Sequence, residues 1–228
     1  MDGLARAGVC IFGTLHSIIR NMTKEKKPTD GNGTIKAPPS AKGSPVTTPL
    51  VWMDLEMTGL DPETDVIIEI ATVITDSQLN VIAEGPDIVI KRDPELFSRM
   101  DAWNQEQHTK SGLWTSVVNS TITESEAEKL TLDFLKKHVA HRESPLCGNS
   151  VWQDRRFLGR YMKEVEAHLH YRLIDVSTLK ELGSRWCAQK ASQFTKKKNA
   201  HRALDDVYES IEELKFYREA LFIKDTQP

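Results

Sequence analysis

Two carboxylates stand two residues apart in the sequence Val-Trp-Met-Asp-Leu-Glu-Met-Thr-Gly-Leu-Asp at residues 51–61. The apolar residues around them predict a strand, in which successive side chains point to opposite faces, so Asp54 and Glu56 share one face. Carboxylates held this close repel each other unless a cation lies between them. We therefore expect Asp54 and Glu56 to bind metal, although two solvated acids at a strand end remain an alternative, because short motifs recur by chance.

Asp154 is a second candidate ligand. It follows a short apolar segment that ends in Gly148-Asn149, and it falls in the first turn of a predicted helix. An acid in this position is also favoured by the positive end of the helix dipole, so Asp154 alone does not define a site.

The last predicted helix opens on the sequence His-Arg-Ala-Leu-Asp-Asp at residues 201–206. Helical periodicity places Asp205 opposite the apolar face, among solvated acids, and Asp206 at the edge of the core. A ligand that meets the strand carboxylates across a cleft should therefore be Asp206. His201 is a candidate base, and a capping or surface histidine is the alternative.

The elements that would position these residues form a mixed α/β pattern in the order βββαβαβαα. Residues 94–118 are polar and predict short helices and loops. A capping box of Thr123 and Glu126 opens the first long helix. The remaining predicted strands cover residues 66–74, 81–91, 145–149 and 171–176, and the predicted helices cover residues 123–138, 154–162, 177–187 and 202–222.

Composition narrows the class of protein. The 228 residues, 28% charged and 39% hydrophobic, suit one globular domain with an appendage. No apolar run reaches the roughly 18 residues that a membrane helix needs. Three widely spaced cysteines indicate a reducing compartment without a disulfide framework or zinc cage. A net charge of −3 argues against a protein that coats long nucleic acid.

Residues 1–48 differ from the rest of the chain. They contain seven Lys and Arg against three acids, and residues 28–49 are rich in Pro, Gly, Ser and Thr, which predicts a disordered linker. Residues 4–22 are apolar with two arginines and no acid. This composition is typical of a mitochondrial presequence, and an uncleaved extension is the alternative. We expect the folded domain to occupy residues 49–228.

Several short motifs occur in order along this domain. They are Trp-Met-Asp-Leu-Glu-Met-Thr-Gly-Leu at 52–60, Gly-Asn-Ser at 148–150, Tyr-Arg at 171–172, Asp-Val-Ser-Thr at 175–178 and the segment 201–206. Together they resemble the DEDD-type 3′→5′ exonucleases in the variant that uses histidine, and within that group the oligoribonuclease family. The resemblance implies an RNase H-like fold, which is a mixed five-stranded sheet flanked by helices, and a homodimer. It also implies two Mg²⁺ or Mn²⁺ ions on Asp54, Glu56, Asp154 and Asp206, with His201 as the base.

The same resemblance implies roles in substrate binding. Leu60 and Trp103 would wedge and stack the two bases, although core packing is an alternative for Trp103. Tyr171 and Arg172 would reach into the partner subunit's site and cap the 5′ end of the substrate, although Tyr171 is also an ordinary first residue of a strand. Lys196-Lys197-Lys198 either steers phosphates or is a solvated loop. The implied phosphate and sugar contacts are His108, Ser111, Ser150 and Ser177.

The sequence thus predicts a metal-dependent exoribonuclease that cleaves short single-stranded RNA oligonucleotides, dinucleotides above all, to 5′-mononucleotides. We expect it in mitochondria, the cytoplasm or both, with no membrane segment. The alternatives are a DNA-directed 3′→5′ exonuclease of the same superfamily and a non-catalytic nucleic-acid-binding module on this fold.

Overall fold

The computed structural model describes residues 47–195 and 201–222. Most of the predicted N-terminal extension, and Lys196 to Lys198, lie outside these ranges. The strands are β1 (Leu50–Met57), β2 (Ile67–Thr75), β3 (Val81–Val89), β4 (Leu146–Gly148) and β5 (Leu173–Asp175). A 3₁₀ helix spans Pro94–Arg99. The α-helices are α1 (Ala102–Lys110), α2 (Leu113–Asn119), α3 (Glu124–His138), α4 (Trp152–Tyr161), α5 (Lys163–His168), α6 (Val176–Trp186), α7 (Ala188–Ala191) and α8 (Ala203–Leu221).

The five strands form one mixed sheet in the order β3-β2-β1-β4-β5. Strand β1 pairs antiparallel with β2 and parallel with β4, and β4 pairs parallel with β5. Helices cover both faces of the sheet. As a result, apolar side chains of β1 belong to two separate core clusters, one on each face. The predicted five-stranded mixed sheet flanked by helices is confirmed.

Strand β1 alternates between the two cores. Val51, Met53 and Leu55 are buried in the cluster that includes Ala127 of α3 and Phe157 of α4. Trp52 is buried on the opposite face against α8, and its Nε1–H donates to Thr75 Oγ1 at 3.0 Å. Because strand side chains alternate, Asp54 and Glu56 face the α8 side of the sheet.

Helix α8 packs its apolar side, including Val207 and Ile211, against this second core. Asp205 is exposed and Asp206 is half-buried, as helical periodicity predicted. The helix also buries Glu213 and Tyr217, whose Oη donates to Glu213 Oε1 at 3.1 Å. A buried carboxylate facing a buried hydroxyl has no local sequence signature, so the apolar pattern did not predict it.

Most element boundaries differ from the sequence prediction by one or two residues, and two short helices were not predicted. Helix α4 begins at Trp152, two residues before the predicted start. Strand β5 covers Leu173–Asp175, so Tyr171 and Arg172 precede it. Helices α5 and α7, of six and four residues, were not predicted because such short segments show too few periods of an apolar pattern. Among the residues that the structure describes, no helix is long and apolar enough to cross a membrane.

Candidate active site

A cavity of about 290 Å³ opens where the carboxyl end of β1 meets the start of α8. Ligand atoms of Glu56, His201 and Asp206 all lie within 4.8 Å of one another there. Segments about 145 residues apart in sequence therefore converge on one point. The residues that line the cavity are Asp54, Leu55, Glu56, Asn149, His201, Asp206, Glu209 and Ser210.

Asp154 reaches this region from the first turn of α4. It is buried, and its Oδ1 accepts a hydrogen bond from the backbone N–H of Leu55 at 3.0 Å. Leu55 stands between Asp54 and Glu56, so this bond ties the helix to the strand that carries both acids. The contact fixes Asp154 beside β1, across 99 residues of sequence.

Burial and repulsion from nearby carboxylates raise the pKa values of the four acids. Burial, then repulsion from Asp154 and Glu56, raises the pKa of Asp54 well above its usual value. Burial, and after it repulsion from the Asp206 carboxylate, raises the pKa of Glu56 to about 8. Burial raises the pKa of Asp154 to about 7, and burial with repulsion from Glu209 raises the pKa of Asp206 to about 6. Hard carboxylate oxygens in such an environment suit divalent cations such as Mg²⁺ and Mn²⁺.

His201 stands just before α8 with a φ of 48°, in the left-handed region that few non-glycine residues occupy. Its ring meets the Trp103 ring edge-to-face, with centroids 5.7 Å apart and planes at 86°. Trp103 remains 57% exposed on α1, so its other surface is open to solvent. The candidate base and the candidate stacking residue are therefore direct neighbours.

Leu60 stands on the turn that follows β1 and is 70% exposed. Its backbone carbonyl accepts a hydrogen bond from the Gln153 side chain, one residue before Asp154. Asp65 closes the turn from the other side, because Oδ1 accepts from Thr58 Oγ1 at 3.1 Å and Oδ2 accepts from the Asp61 N–H at 3.0 Å. An exposed apolar side chain is thus presented by a restrained loop.

His108 of α1 contacts the last residue of β1, Met57, and is only 2% exposed. Its Nε2 is 2.9 Å from the Met57 carbonyl, which can only accept, so Nε2 carries the proton. Its Nδ1 is buried without a hydrogen-bond partner among the described residues, and burial lowers the pKa of the ring. Ser111, which ends α1, lies close by, with its Oγ 3.5 Å from the His108 carbonyl.

Ser150 and Ser177 meet at the carboxyl ends of β4 and β5. The Ser150 N–H donates to Asp175 Oδ1 at 2.9 Å and to Ser177 Oγ at 3.0 Å, and the two hydroxyls are 3.2 Å apart. Strands β1, β4 and β5 are parallel, so these serines share the sheet edge that carries the acids. Ser150 and Ser177 therefore lie next to Asn149, which lines the cavity.

Asn149 belongs to the Gly-Asn-Ser motif at residues 148–150, but the sequence indicated no role for it. Its Nδ2 donates to Ser210 Oγ at 2.9 Å and to Glu213 Oε2 at 3.0 Å, and its Oδ1 accepts from Ser177 Oγ at 3.0 Å. It therefore joins the two serines to α8. Its position directly after a buried strand was the sequence feature that could have identified it as a site residue.

Tyr171 and Arg172 lie away from this cluster in their own chain. The strand register aligns Leu173 with Leu146 and Leu146 with Val51, at the start of β1. Tyr171 precedes that level and Asp54 follows it, which separates them by roughly 16 Å along the strands at about 3.3 Å per residue. Both side chains are exposed, and Arg172 Nε donates to Tyr171 Oη at 3.2 Å.

Residues 51–214 match the family model described as Exonuclease (RNase_T). The chain is 57% identical to the oligoribonuclease of Pseudomonas aeruginosa over 175 residues, which are 77% of this chain and 96% of that one. It is 55% identical to the oligoribonuclease of Escherichia coli, with the same coverage of both chains.

Solved structures resemble the fold at lower identity. Exonuclease I of Methylocaldum szegediense superposes with a TM-score of 0.54 at 18% identity, and covers 76% of this chain. Escherichia coli exonuclease I, in a zinc-bound complex with single-stranded DNA, gives 0.55 at 14% identity and covers 77%. This chain spans 41% of each of those proteins. At this identity the likeness concerns the fold alone, which is RNase H-like.

Proposed function

The chain belongs to the oligoribonuclease family, within the larger family of exonucleases, and from that premise we propose that it is a 3′→5′ exoribonuclease acting on short RNA. Its substrates are short single-stranded oligonucleotides, dinucleotides above all, and its products are 5′-mononucleotides. The observation that carries the proposal is the convergence of Glu56, His201 and Asp206, from opposite ends of the domain, on one cavity.

Exonucleases of this family use divalent metal ions, and the carboxylates present here fit that requirement. Asp54, Glu56 and Asp206 line the cavity, Asp154 is bonded to the Leu55 N–H between the first two, and burial raises the pKa of all four acids. We assign Asp54, Glu56, Asp154 and Asp206 as the ligands of two Mg²⁺ or Mn²⁺ ions. When bound, such ions supply an activated water and stabilise the leaving oxygen.

His201 acts as the general base in this proposal. An imidazole titrates near neutral pH and can accept the proton of the attacking water. Its proximity to Glu56 and Asp206, with ligand atoms of all three within 4.8 Å of one another, supports this role. His201 takes the proton of the attacking water, while the phosphodiester bond breaks and the 3′-oxygen departs.

The exposed apolar groups bind the bases. Leu60 and Trp103 present apolar surface beside the cavity, and stacking a base on an aromatic ring contributes about 1–3 kcal/mol with little dependence on sequence. Ser150, Ser177, His108 and Ser111 contact phosphate and sugar. Nδ1 of His108 has no hydrogen-bond partner among the described residues, and it is the acceptor that a ribose hydroxyl would use when substrate binding exposes the ring.

The enzyme acts as a homodimer in which Tyr171 and Arg172 complete the site of the partner subunit. The support is their position, since both are exposed and lie about 13–16 Å along the strands from Asp54 of their own chain. The planar guanidinium of Arg172 suits a terminal 5′-phosphate, because its fork binds two oxygens.

Residues 1–48 remain a proposed extension that directs the protein to mitochondria, beside a cytoplasmic pool. Their basic, apolar and acid-poor start is the support. A fluorescent fusion of residues 1–48 that stays diffuse in cells would overturn mitochondrial targeting, and import into the matrix would support it.

The substrate class is tested by comparing the turnover of three substrates, each with Mn²⁺. They are a 5′-phosphorylated RNA dinucleotide, the DNA dinucleotide of matching sequence, and a long single-stranded DNA. We expect the diribonucleotide to have the highest kcat/KM. Preferred cleavage of the long DNA would instead identify a DNA-directed enzyme. The exonuclease I structures do not favour that rival, since their likeness concerns only the fold.

A further inference from the structure

Glu69 is a fully buried carboxylate and the one charged residue of strand β2. The strand register places it directly opposite Glu56 of β1. Side chains of directly opposed residues stand side by side on the same face of a sheet, so Glu69 lies beside the candidate metal ligand. Because its side chain has no exposed surface, Glu69 does not touch substrate.

Three hydrogen bonds join Glu69 to the start of α8. Its Oε1 accepts from Arg202 Nε at 2.9 Å and from Arg202 Nη2 at 2.6 Å. Its Oε2 accepts from the backbone N–H of Ala203 at 2.9 Å. Both carboxylate oxygens are therefore used by the two residues that directly follow His201.

Helix α8 begins without a side-chain cap of its own, since Arg202 occupies the N-cap position. The first N–H groups of a helix need outside acceptors, and Glu69 supplies one from a strand 134 residues away in sequence. His201 adopts its left-handed backbone immediately before this anchor. Such a conformation persists only where the surrounding structure holds it.

We propose that Glu69 is a positioning residue, which holds the start of α8 so that His201 and Asp206 face Glu56. Asp206 lies one helical turn beyond the anchor, and its N–H donates to the Arg202 carbonyl at 3.0 Å. A shift of Arg202 and Ala203 is therefore transmitted to the base on one side and to the acid on the other. This inference rests on the proposed function for its kinetic readout.

Glu69 also restrains the position of the Arg202 side chain. The guanidinium is a cation close to Glu56, and its positive charge acts on the Glu56 carboxylate. By binding both Nε and Nη2, Glu69 keeps this cation at the back of the site. Loss of the carboxylate would free Arg202 to pair with Glu56 or Asp206, in competition with metal ions.

The test uses the full-length chain with Glu69→Gln, which preserves volume but cannot accept from both Arg202 and Ala203. Glu166→Gln is the matched control, because Glu166 Oε1 accepts from Arg155 Nε at 3.0 Å and Nη2 at 2.7 Å in the same forked pattern away from the cavity. Each protein is assayed for kcat and KM on a diribonucleotide, for Mn²⁺ affinity by electron paramagnetic resonance, and for folding by circular dichroism.

We expect Glu69→Gln to be folded, with kcat about 10–100-fold lower, KM nearly unchanged and Mn²⁺ affinity about tenfold weaker. Glu166→Gln should keep kcat and Mn²⁺ affinity within about twofold of the unaltered protein. Unchanged kcat and Mn²⁺ affinity in folded Glu69→Gln would overturn the proposal. So would equal losses in both variants, or a loss of kcat that only follows the folded fraction.

Arg202→Lys provides a second route if Glu69→Gln does not fold. A lysine keeps the charge but replaces the two-point fork with a single ammonium, while the bond to the Ala203 N–H remains. We expect kcat to fall about 3–10-fold at a nearly constant KM, and an unchanged kcat would overturn the proposal. If the unaltered protein does not cleave the diribonucleotide, the proposed function fails, while the Mn²⁺ affinities still test the role of Glu69.

Discussion

Asp205 and Asp206 are adjacent acids in opposite environments. Asp205 is exposed on the outer side of α8, whereas Asp206 is half-buried beside Glu56 and His201. The difference follows from a rotation of about 100° per residue in a helix, and it offers a pair of variants that are matched in chemistry and distinct in position.

We predict that Asp206→Asn lowers kcat/KM for a diribonucleotide by at least about 100-fold, because it removes a charged metal ligand. Asp205→Asn, a neighbouring change of the same size, should stay within about threefold. The measurement is steady-state kinetics with saturating Mn²⁺. Similar losses in both variants would show that Asp206 has no special role at the site.

The raised pKa values of the site acids also predict how metal-free protein responds to pH. Glu56, Asp154 and Asp206 have pKa values of about 8, 7 and 6, above their usual values, so the folded protein binds protons more tightly than the unfolded chain. Their contribution to the free energy of unfolding is therefore greatest below the ordinary carboxylate pKa and is lost as pH rises toward 8.

We predict that Tm in EDTA falls between about pH 5.5 and pH 8.5, and that Mn²⁺ raises Tm more at the higher pH, because metal replaces the lost protons. Differential scanning fluorimetry measures both effects. Glu56→Gln is the control and should flatten the dependence in EDTA. A Tm in EDTA that rises over this range would contradict uncompensated charge at the site.

At the scale of elements, the turn after β1 joins the acids to the exposed Leu60. Gly59 has no space for a side chain, since a Cβ there would stand 2.5 Å from Asp65 Oδ2. Asp65 cannot move away without losing its bonds from Thr58 Oγ1 and the Asp61 N–H. The shape of the loop that carries Leu60 therefore depends on a glycine.

We predict that Gly59→Ala raises KM for a diribonucleotide at least about fivefold and lowers Tm, because the loop must shift and displace Leu60. Gly159→Ala is the matched control, as a Cβ at that position in α4 meets nothing within 4 Å. It should leave KM unchanged and raise stability by about 0.5–1 kcal/mol. Kinetics and thermal denaturation of both variants decide whether the turn forms part of the substrate pocket.

The main elements could be predicted from the sequence because their signals are local. The alternation in β1, the capping box of Thr123 and Glu126 and the apolar side of α8 each appear within a few residues. Helical phase also separated Asp206 from Asp205. These features depend on strand and helix geometry, which the sequence displays directly.

Glu69 could not be interpreted in this way. In the sequence it is a single acid that interrupts an apolar strand, and its partners Arg202 and Ala203 are more than 130 residues away. The burial of His108 could not be predicted from the sequence for the same reason, because its hydrogen bond to Met57 spans 51 residues. Side chains whose roles depend on distant partners need the folded chain before they can be interpreted.

At the scale of the whole molecule, the two residues proposed to cap the 5′ end of the substrate do not line the cavity of their own chain. Arg172 and Tyr171 are exposed at the opposite ends of the parallel strands from the acids. A second copy of the chain would supply them through a symmetric interface, in which each subunit completes the other.

We predict that Arg172→Ala and His201→Ala, each inactive alone, recover about one quarter of full activity when their subunits are exchanged. Half of the randomly mixed dimers would hold both changes, and one of their two sites would be intact. A mixture of Asp54→Ala with His201→Ala is the control and should recover nothing, because both residues belong to one chain's site. No recovery despite verified subunit exchange would contradict a role for Arg172 in the partner's site.

The most direct test of the whole proposal is a time course of Mn²⁺-dependent digestion of 5′-phosphorylated RNAs two to seven residues long, with every product length resolved. We predict shortening from the 3′ end, release of 5′-mononucleotides, and fastest consumption of the dinucleotide, which should not accumulate from longer RNAs. Dinucleotides that persist as the end product would contradict an enzyme built to cleave the shortest RNA.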